Sequence, residues 1–185
     1  MVPDSYTAFF AAGAGVAGAL IGLLFVAISV GAGATAEEGR LEFDVRAGRA
    51  FSALTDALVV SLFALIPGTD LGSTALWVAL IGFTSCIALG LLLVRARGVV
   101  RRRSQLAMLG LQALVFIYQA AVGAQLMRHP RQVSSVHTLA VLTVVFLLIG
   151  MARSWQLIGG RDTGLLSAVA EVVRQRQAAA DDPAD

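Results

Sequence analysis

The sequence predicts an all-α membrane protein, a bundle of five transmembrane helices. Of its 185 residues, 57% are hydrophobic and only 14% are charged, and the mean hydropathy is +0.79. Soluble domains carry about a quarter charged residues. The apolar residues also fall into five runs close to the ~20 residues that cross a bilayer. The runs are 8–32, 50–66, 72–94, 105–127 and 136–158.

The first run predicts a transmembrane helix rather than a cleavable signal peptide. It follows "MVPDSYT", which has no basic residue, and it is longer than the apolar core of a signal. Small residues recur four apart along it, a spacing that lets helix backbones approach closely. Tight packing is predicted at Ala14, Gly18 and Gly22 in this helix and at Gly82 and Gly90 in the third.

The segment 33–49, before the second run, contains "RLEFDVR", in which apolar and charged residues alternate. A period of two is typical of a strand. The segment could be extended at the interface, or an edge that pairs with a neighbouring subunit. We favour a third interpretation, an amphipathic linker among the lipid headgroups. Ala47 and Gly48 can lengthen the second helix, which is slightly short.

Two proline-containing segments separate the later helices. In "IPGTD" (66–70), Pro67 ends the second helix and Gly68 permits a turn, so a tight hairpin to the third helix is expected. In "RHPRQVSS" (128–135), Pro130 separates the fourth helix from the fifth.

The arginines predict the orientation of the bundle. All 14 basic residues are arginine. Segments 33–49 and 95–103 carry three and five of them, and the end of the fifth run with the tail carries four (Arg153, Arg161, Arg174 and Arg176), 12 in all; the opposite side carries two, both in 128–135. Positive residues concentrate in cytoplasmic loops, so we expect the N-terminus outside and the C-terminus in the cytoplasm.

The tail is expected to form a cytoplasmic unit of its own, residues 161–185, after a transmembrane domain of residues 1–160. Within 162–177 the apolar residues share one helical stripe, which predicts an amphipathic helix on the membrane or against partner helices. The final "AAADDPAD" is expected to be disordered. The stripe consists of Leu165, Leu166, Val169, Val172 and Val173.

Asp56 lies near the middle of the second helix, where an aspartate costs about 2.5–3.5 kcal/mol. It should be protonated, paired or facing water. Arg49 shares its helix face but lies about 10 Å away along the axis, so a partner on another helix is expected. Counting depth from the arginine-rich side gives its expected neighbours. The predicted polar layer is Asp56, Ser52, Thr84, Ser85, Gln112 and Gln119, with Gln105 on the same stripe of the fourth helix.

This layer has two interpretations. It could consist of interhelical hydrogen bonds that fix the register of the helices. It could instead be a hydrated path lined by glutamines, with Asp56 as a cation or proton site. The first hypothesis for function is therefore an oligomeric, channel-like protein for small cations or protons. The second is a non-conducting accessory or scaffold subunit that packs through Gly/Ala faces and docks partners with its tail.

Several function classes lack a supporting pattern. Intramembrane aspartyl hydrolysis needs two carboxylates, and one lies at membrane depth. No serine is in a nucleophile-elbow context. His129 and His137 are separated, and Cys86 is the single cysteine, so neither a metal site nor a disulfide is expected. No enzyme activity, cofactor or nucleic-acid partner is therefore predicted. The expected partners are the lipid bilayer and, because five helices make a thin bundle, further copies of the chain.

Two segments carry a resemblance to known families. "AGALIGLLFVAISV" (17–30) and "LTDALVVSLFALIPG" (54–68) resemble a group of small multi-pass bacterial inner-membrane proteins of unknown function. The resemblance covers roughly the first 70 residues and implies a bacterial cytoplasmic membrane, but no activity.

A fainter similarity is to a bacterial and lysosomal potassium-channel family. It rests on the order Arg49, Phe51-Ser52 and Asp56 before an apolar helix. That family has a contiguous Phe-Ser-Asp in its first helix. Here "ALT" separates Ser52 from Asp56 and the helix is the second, so no residue roles are carried over.

Overall fold

Five long helices account for all the regular structure in the described part of the chain. The computed structural model describes residues 4–34, 37–95, 102–129 and 133–157. Each helix contains a stretch long and apolar enough to cross a membrane, so the prediction of five spans is confirmed. The amphipathic helix predicted within 162–177 and the final tail lie outside the described residues. The helices are α1 Asp4–Ala34, α2 Glu37–Leu65, α3 Leu71–Arg95, α4 Arg102–Arg128 and α5 Val133–Leu157.

The start of α2 corrects the interpretation of the segment 33–49. From Glu37 onward this segment is helix and continues without a break into the membrane span. Val45, Arg49 and Ala53 are all buried and lie four residues apart, which is the spacing of one helix face. The alternation in "RLEFDVR" is also compatible with a helix. Val45 lies on the buried face of α2, whereas the neighbouring Asp44 lies on the exposed face.

The turn between α2 and α3 follows from its sequence. Gly68 has a φ of 78°, a left-handed conformation that glycine adopts without steric cost. Asp70 then caps α3, because its Oδ1 accepts a hydrogen bond from the backbone N–H of Gly72 at 3.0 Å. The two helices therefore form a tight hairpin. We call the end of the bundle that holds this turn the turn end, and the opposite end the arginine end.

Four helices form a ring and the fifth lies outside it. The α2 helix packs against α3 and α5, and α4 packs against the same two helices. Helix α1 packs on α2 and α5 from outside the ring. As a result α2 and α4 lie diagonally opposite each other, and long side chains are needed to join them across the centre.

Glycines set the distance between α3 and α4. A Cβ atom added at Gly123 would lie 2.8 Å from the backbone oxygen of Gly72 and 2.9 Å from the backbone nitrogen of Leu76. Farther along, Gly82 makes room for the ring of Phe116, which also packs on Phe146 with 4.8 Å between ring centroids. The α3–α4 contact is therefore a close approach of two backbones, which small residues permit.

The other predicted packing residues differ in their surroundings. Ala14 is buried, with 9% of its surface exposed. Gly18, Gly22 and Gly90 have no atom of the described residues within 4 Å of an added Cβ. Close packing at these three glycines would have to come from residues outside the described ranges or from another molecule, and for them the prediction stays a prediction.

The α3–α4 contact yields a stability prediction. Gly123→Ala is expected to lower the free energy of unfolding by about 1–3 kcal/mol, because the new methyl meets backbone atoms that cannot rotate away. Gly110→Ala, the matched control in the same helix, adds its methyl to open space and should be neutral or slightly stabilising. Thermal unfolding of both variants in detergent measures the difference. Equal stabilities would contradict the close approach.

The turn end of the ring is closed by an apolar cluster. Its residues come from all five helices at this end, and each is at most 7% exposed. We call this set the turn-end cluster. It consists of Phe10, Val60, Leu71, Ala75, Val122, Leu126, Val136, Leu139, Ala140 and Leu142.

Candidate functional site: a buried polar ladder

Six polar side chains meet in the centre of the ring, three from each of the diagonal helices. Five of the six are buried, and Arg49, Gln112 and Gln119 are each only 1% exposed. On α4 the glutamines are seven residues apart, which is two helical turns and keeps them on one face. We call this set the polar ladder. It consists of Arg49, Ser52 and Asp56 on α2 and Gln105, Gln112 and Gln119 on α4.

The first part of the ladder surrounds Arg49, close to the arginine end. Its Nε donates to Gln112 Oε1 at 3.2 Å, and its Nη1 donates to Gln105 Oε1 at 3.5 Å. Gln112 Nε2 in turn donates to the backbone oxygen of Arg49 at 3.2 Å and to Ser52 Oγ at 3.0 Å. The buried guanidinium of Arg49 is thus bound by two amide oxygens instead of a carboxylate. Gln112 forms hydrogen bonds both with side chains of α2 and with its backbone.

The second part of the ladder holds Asp56, which is 3% exposed. Gln119 Nε2 donates to Asp56 Oδ1 at 2.9 Å and to the backbone oxygen of Ala75 at 3.4 Å. Within the described ranges, no basic side chain contacts the carboxyl of Asp56. The remaining amide atom, Gln119 Oε1, is buried and has no hydrogen-bond partner in the described part of the chain.

The two parts share one register. Arg49 pairs with Gln112 and Asp56 pairs with Gln119, so both pairs join positions 63 residues apart. This constant offset shows that α2 and α4 run parallel, and that two turns of α2 match two turns of α4. Partners for Asp56 therefore come from the helix across the ring.

Thr84 and Ser85 do not belong to this site, and that part of the predicted layer is corrected. Their hydroxyls donate to the backbone oxygens of Leu80 at 2.8 Å and Ile81 at 2.9 Å in their own helix. With Trp77 they line a shallow groove on the outside of α3. A count of residues along a helix does not fix the side of the helix axis on which a residue lies, and the buried residues of α3 next to these two are Gly82 and Cys86. The α3 residue that contacts Gln119 is Ala75.

Arg49 is a ladder member that the sequence did not predict, whereas Gln105 was predicted on the glutamine stripe but not in the layer around Asp56. Arg49 lies about 10 Å from Asp56 along the helix axis, a distance that excludes a direct pair but does not show whether Arg49 itself is buried. The sequence does contain a pattern that predicts the pairing of Arg49. Arg49 and Asp56 have the same seven-residue spacing as the three glutamines. Two parallel helices with matching polar heptads are able to pair along both stripes.

The charge at the arginine end extends beyond the ladder. Arg49 lies within electrostatic range of Arg153 and Arg46, and Arg153 Nη2 contacts Met108 Sδ at 3.0 Å, one turn of α4 beyond Gln105. In the described segments no three His, Cys, Asp or Glu side chains converge as a metal site would require. The ladder is therefore a site of three amides and one hydroxyl with one acid and one base.

The fold and this site define a multi-pass helical membrane protein with a polar centre. No family model, curated protein or solved structure matches the chain.

Proposed function

We propose that this protein is an oligomeric, channel-like membrane protein that passes protons or small cations along the polar ladder, with Asp56 as the group that binds them. The observation that supports this most is a carboxyl in the centre of the bundle that is bonded by one amide and contacted by no basic residue among those described. A lone charge is expensive at membrane depth. A proton or cation that visits Asp56 would remove that cost.

The rest of the ladder suits this role. Amides offer donors and acceptors in turn, and Gln105, Gln112 and Gln119 place one amide at every second turn between the arginine end and Asp56. Side chains that are only 1–8% exposed leave no room for a hydrated ion beside them. We therefore assign this arrangement to a closed state, in which the turn-end cluster acts as an apolar gate that excludes water.

The proposal includes an orientation and a location. The arginine bias supports a cytoplasmic arginine end, with the N-terminus outside. Together with the resemblance of segments 17–30 and 54–68, it supports the bacterial cytoplasmic membrane. A proton or cation from the cytoplasm would then reach Asp56 past Arg49, which lies nearer the cytoplasmic end of the ladder.

Transport by purified protein in liposomes tests the proposed function. Asp56→Asn, which keeps the size of the side chain, should reduce proton and cation flux to the level of protein-free liposomes. Asp44→Asn is the matched control, because Asp44 is an exposed acid of the same helix; its flux should equal that of the unmodified protein. Equal flux in both variants would remove Asp56 from the path.

A second candidate function is a non-conducting accessory or scaffold subunit. It is favoured by the open face of α1, where Gly15, Gly18 and Gly22 meet no other described residue. Glycines at this spacing allow a helix of another molecule to approach. Gly18→Leu adds its side chain to open space, so it should leave the fold intact while weakening assembly, as measured by mass in detergent. Unchanged assembly would argue against this face as an interface.

A further inference from the structure

The amide of Gln119 has one unusual atom. Its two N–H hydrogens are directed to Asp56 Oδ1 and to the backbone oxygen of Ala75, while its oxygen is buried and has no donor among the residues that the structure describes. Rotating the amide by 180° would set its oxygen against two other oxygen atoms, so the orientation is fixed by its neighbours. Buried acceptors are nearly always satisfied, and this one therefore indicates a donor.

The carboxyl of Asp56, which is bonded to this amide, is also buried with few hydrogen bonds. An ionised carboxyl is only an acceptor, and this one is buried with a single hydrogen bond. Among the described residues, the charged groups in its surroundings are Arg49, about 10 Å along the same helix, and beyond it Arg46 and Arg153. Cys86 of α3 is the other titratable group of the core. No hydrogen bond joins any of these four residues to the carboxyl.

We infer that Asp56 carries a proton in this conformation and donates it, from Oδ2, to Gln119 Oε1. One proton then satisfies the unpartnered amide oxygen and removes the unpaired charge. The carboxylic acid and the amide form a closed pair with two antiparallel hydrogen bonds, Nε2–H to Oδ1 and Oδ2–H to Oε1. The second N–H of the amide remains on the oxygen of Ala75, which holds the pair against α3.

The same geometry identifies the transported species as a proton rather than a metal cation. This step deepens the proposed function and rests on it. Hard metal ions take about six or more oxygen ligands, whereas Asp56 Oδ1 faces an N–H donor. In the described residues Asp56 belongs to no cluster of three or more Asp, Glu, His or Cys side chains that could hold a metal ion. The site offers one proton acceptor with an amide to hold the resulting acid.

Infrared difference spectroscopy of the full chain in liposomes tests the protonation. At neutral pH we expect a carboxylic-acid C=O band that is lost in Asp56→Asn and kept in Asp44→Asn. The band should move to lower frequency in heavy water. Gln119→Leu should move it to higher frequency, because the N–H bond to Oδ1 is lost. A spectrum in which Asp56 contributes only carboxylate bands at neutral pH would overturn the inference.

Flux measurements separate this inference from the proposed function. Proton flux that depends on Asp56, with no potassium or sodium flux, is the expected result for the transported species. Potassium or sodium flux that depends on Asp56 would overturn the assignment to protons. The acid band together with an absence of any flux would support the protonated pair and would instead remove the proposed transport.

Discussion

Gln112→Leu is expected to lower the free energy of unfolding by about 3 kcal/mol, one of the largest effects of a single change in this chain. Gln112 accepts from Arg49 Nε and donates to the Arg49 backbone and to Ser52. Hydrogen bonds to charged groups contribute about 1.5–3 kcal/mol, and stranding a buried partner adds to the loss. The variant leaves the guanidinium with its 3.5 Å bond to Gln105 as its remaining ladder contact.

The matched control for this prediction is Gln125→Leu. It makes the same change in the same helix, but Gln125 is exposed, and no hydrogen bond to its side chain is found among the described residues. It should leave stability unchanged or raise it slightly. Denaturation in mixed micelles compares the two variants with the unmodified protein. Equal losses in both would mean that the ladder does not hold α2 and α4 together.

A double variant separates the hydrogen bonds from the stranded charge. Arg49→Leu with Gln112→Leu removes both partners, so no buried guanidinium is left without its bond. Replacing both members of a buried polar pair with apolar groups is often nearly neutral. We expect the double variant to be more stable than Gln112→Leu alone. If it is less stable, the loss comes from packing rather than from the charge.

Leu126→Asn is expected to raise ion flux about tenfold, which corresponds to lowering the barrier by about 1.4 kcal/mol. Leu126 is 4% exposed in the turn-end cluster and follows Gln119 by seven residues, so it occupies the next position of the glutamine stripe. An amide there would extend the ladder into the apolar gate and let water enter. The prediction depends on the proposed function, and liposome flux is the measurement.

Two further variants decide how this result is interpreted. Leu114→Asn places the same amide on α4 at a side chain that is 60% exposed, outside the ring, and should not change the flux. Adding Asp56→Asn to Leu126→Asn should return the flux to that of protein-free liposomes. A flux increase that persists without Asp56 would indicate a nonspecific leak. No increase at all would show that the turn-end cluster is not the barrier.

The sequence predicted the helices better than their contacts. Hydropathy is a local property, so five runs of the right length gave five helices, and the "IPGTD" turn followed from the chemistry of Pro67 and Gly68. The predicted start of α2 was wrong, because the seven-residue alternation in 33–49 is too short to distinguish a strand from a helix. Hydropathy also does not show which faces meet, and the close approach at Gly72 and Gly123 joins two different helices.

The candidate site was predicted in part, for the same reason. A partner for Asp56 on another helix was expected, and the glutamine stripe of α4 lies where the two helices meet. The expected neighbours were misplaced in two ways. Thr84 lies on the outer side of α3, nine residues from Ala75, the α3 residue that contacts Gln119. Gln112 was expected beside Asp56, but Arg49 binds it, so the carboxyl meets Gln119, one heptad further on.

The one-sided distribution of polar groups has a consequence for the electric field across the membrane. The polar ladder extends from the arginine end to Asp56, whereas the turn-end cluster beyond it is apolar. A potential difference falls most steeply across the least polarisable layer, which here lies between Asp56 and the turn end. One elementary charge that crosses the whole field gains or loses about 2.3 kcal/mol per 100 mV. A proton leaving Asp56 toward the turn end would therefore cross most of the membrane voltage in that single step, while its approach from the arginine end would cross little of it.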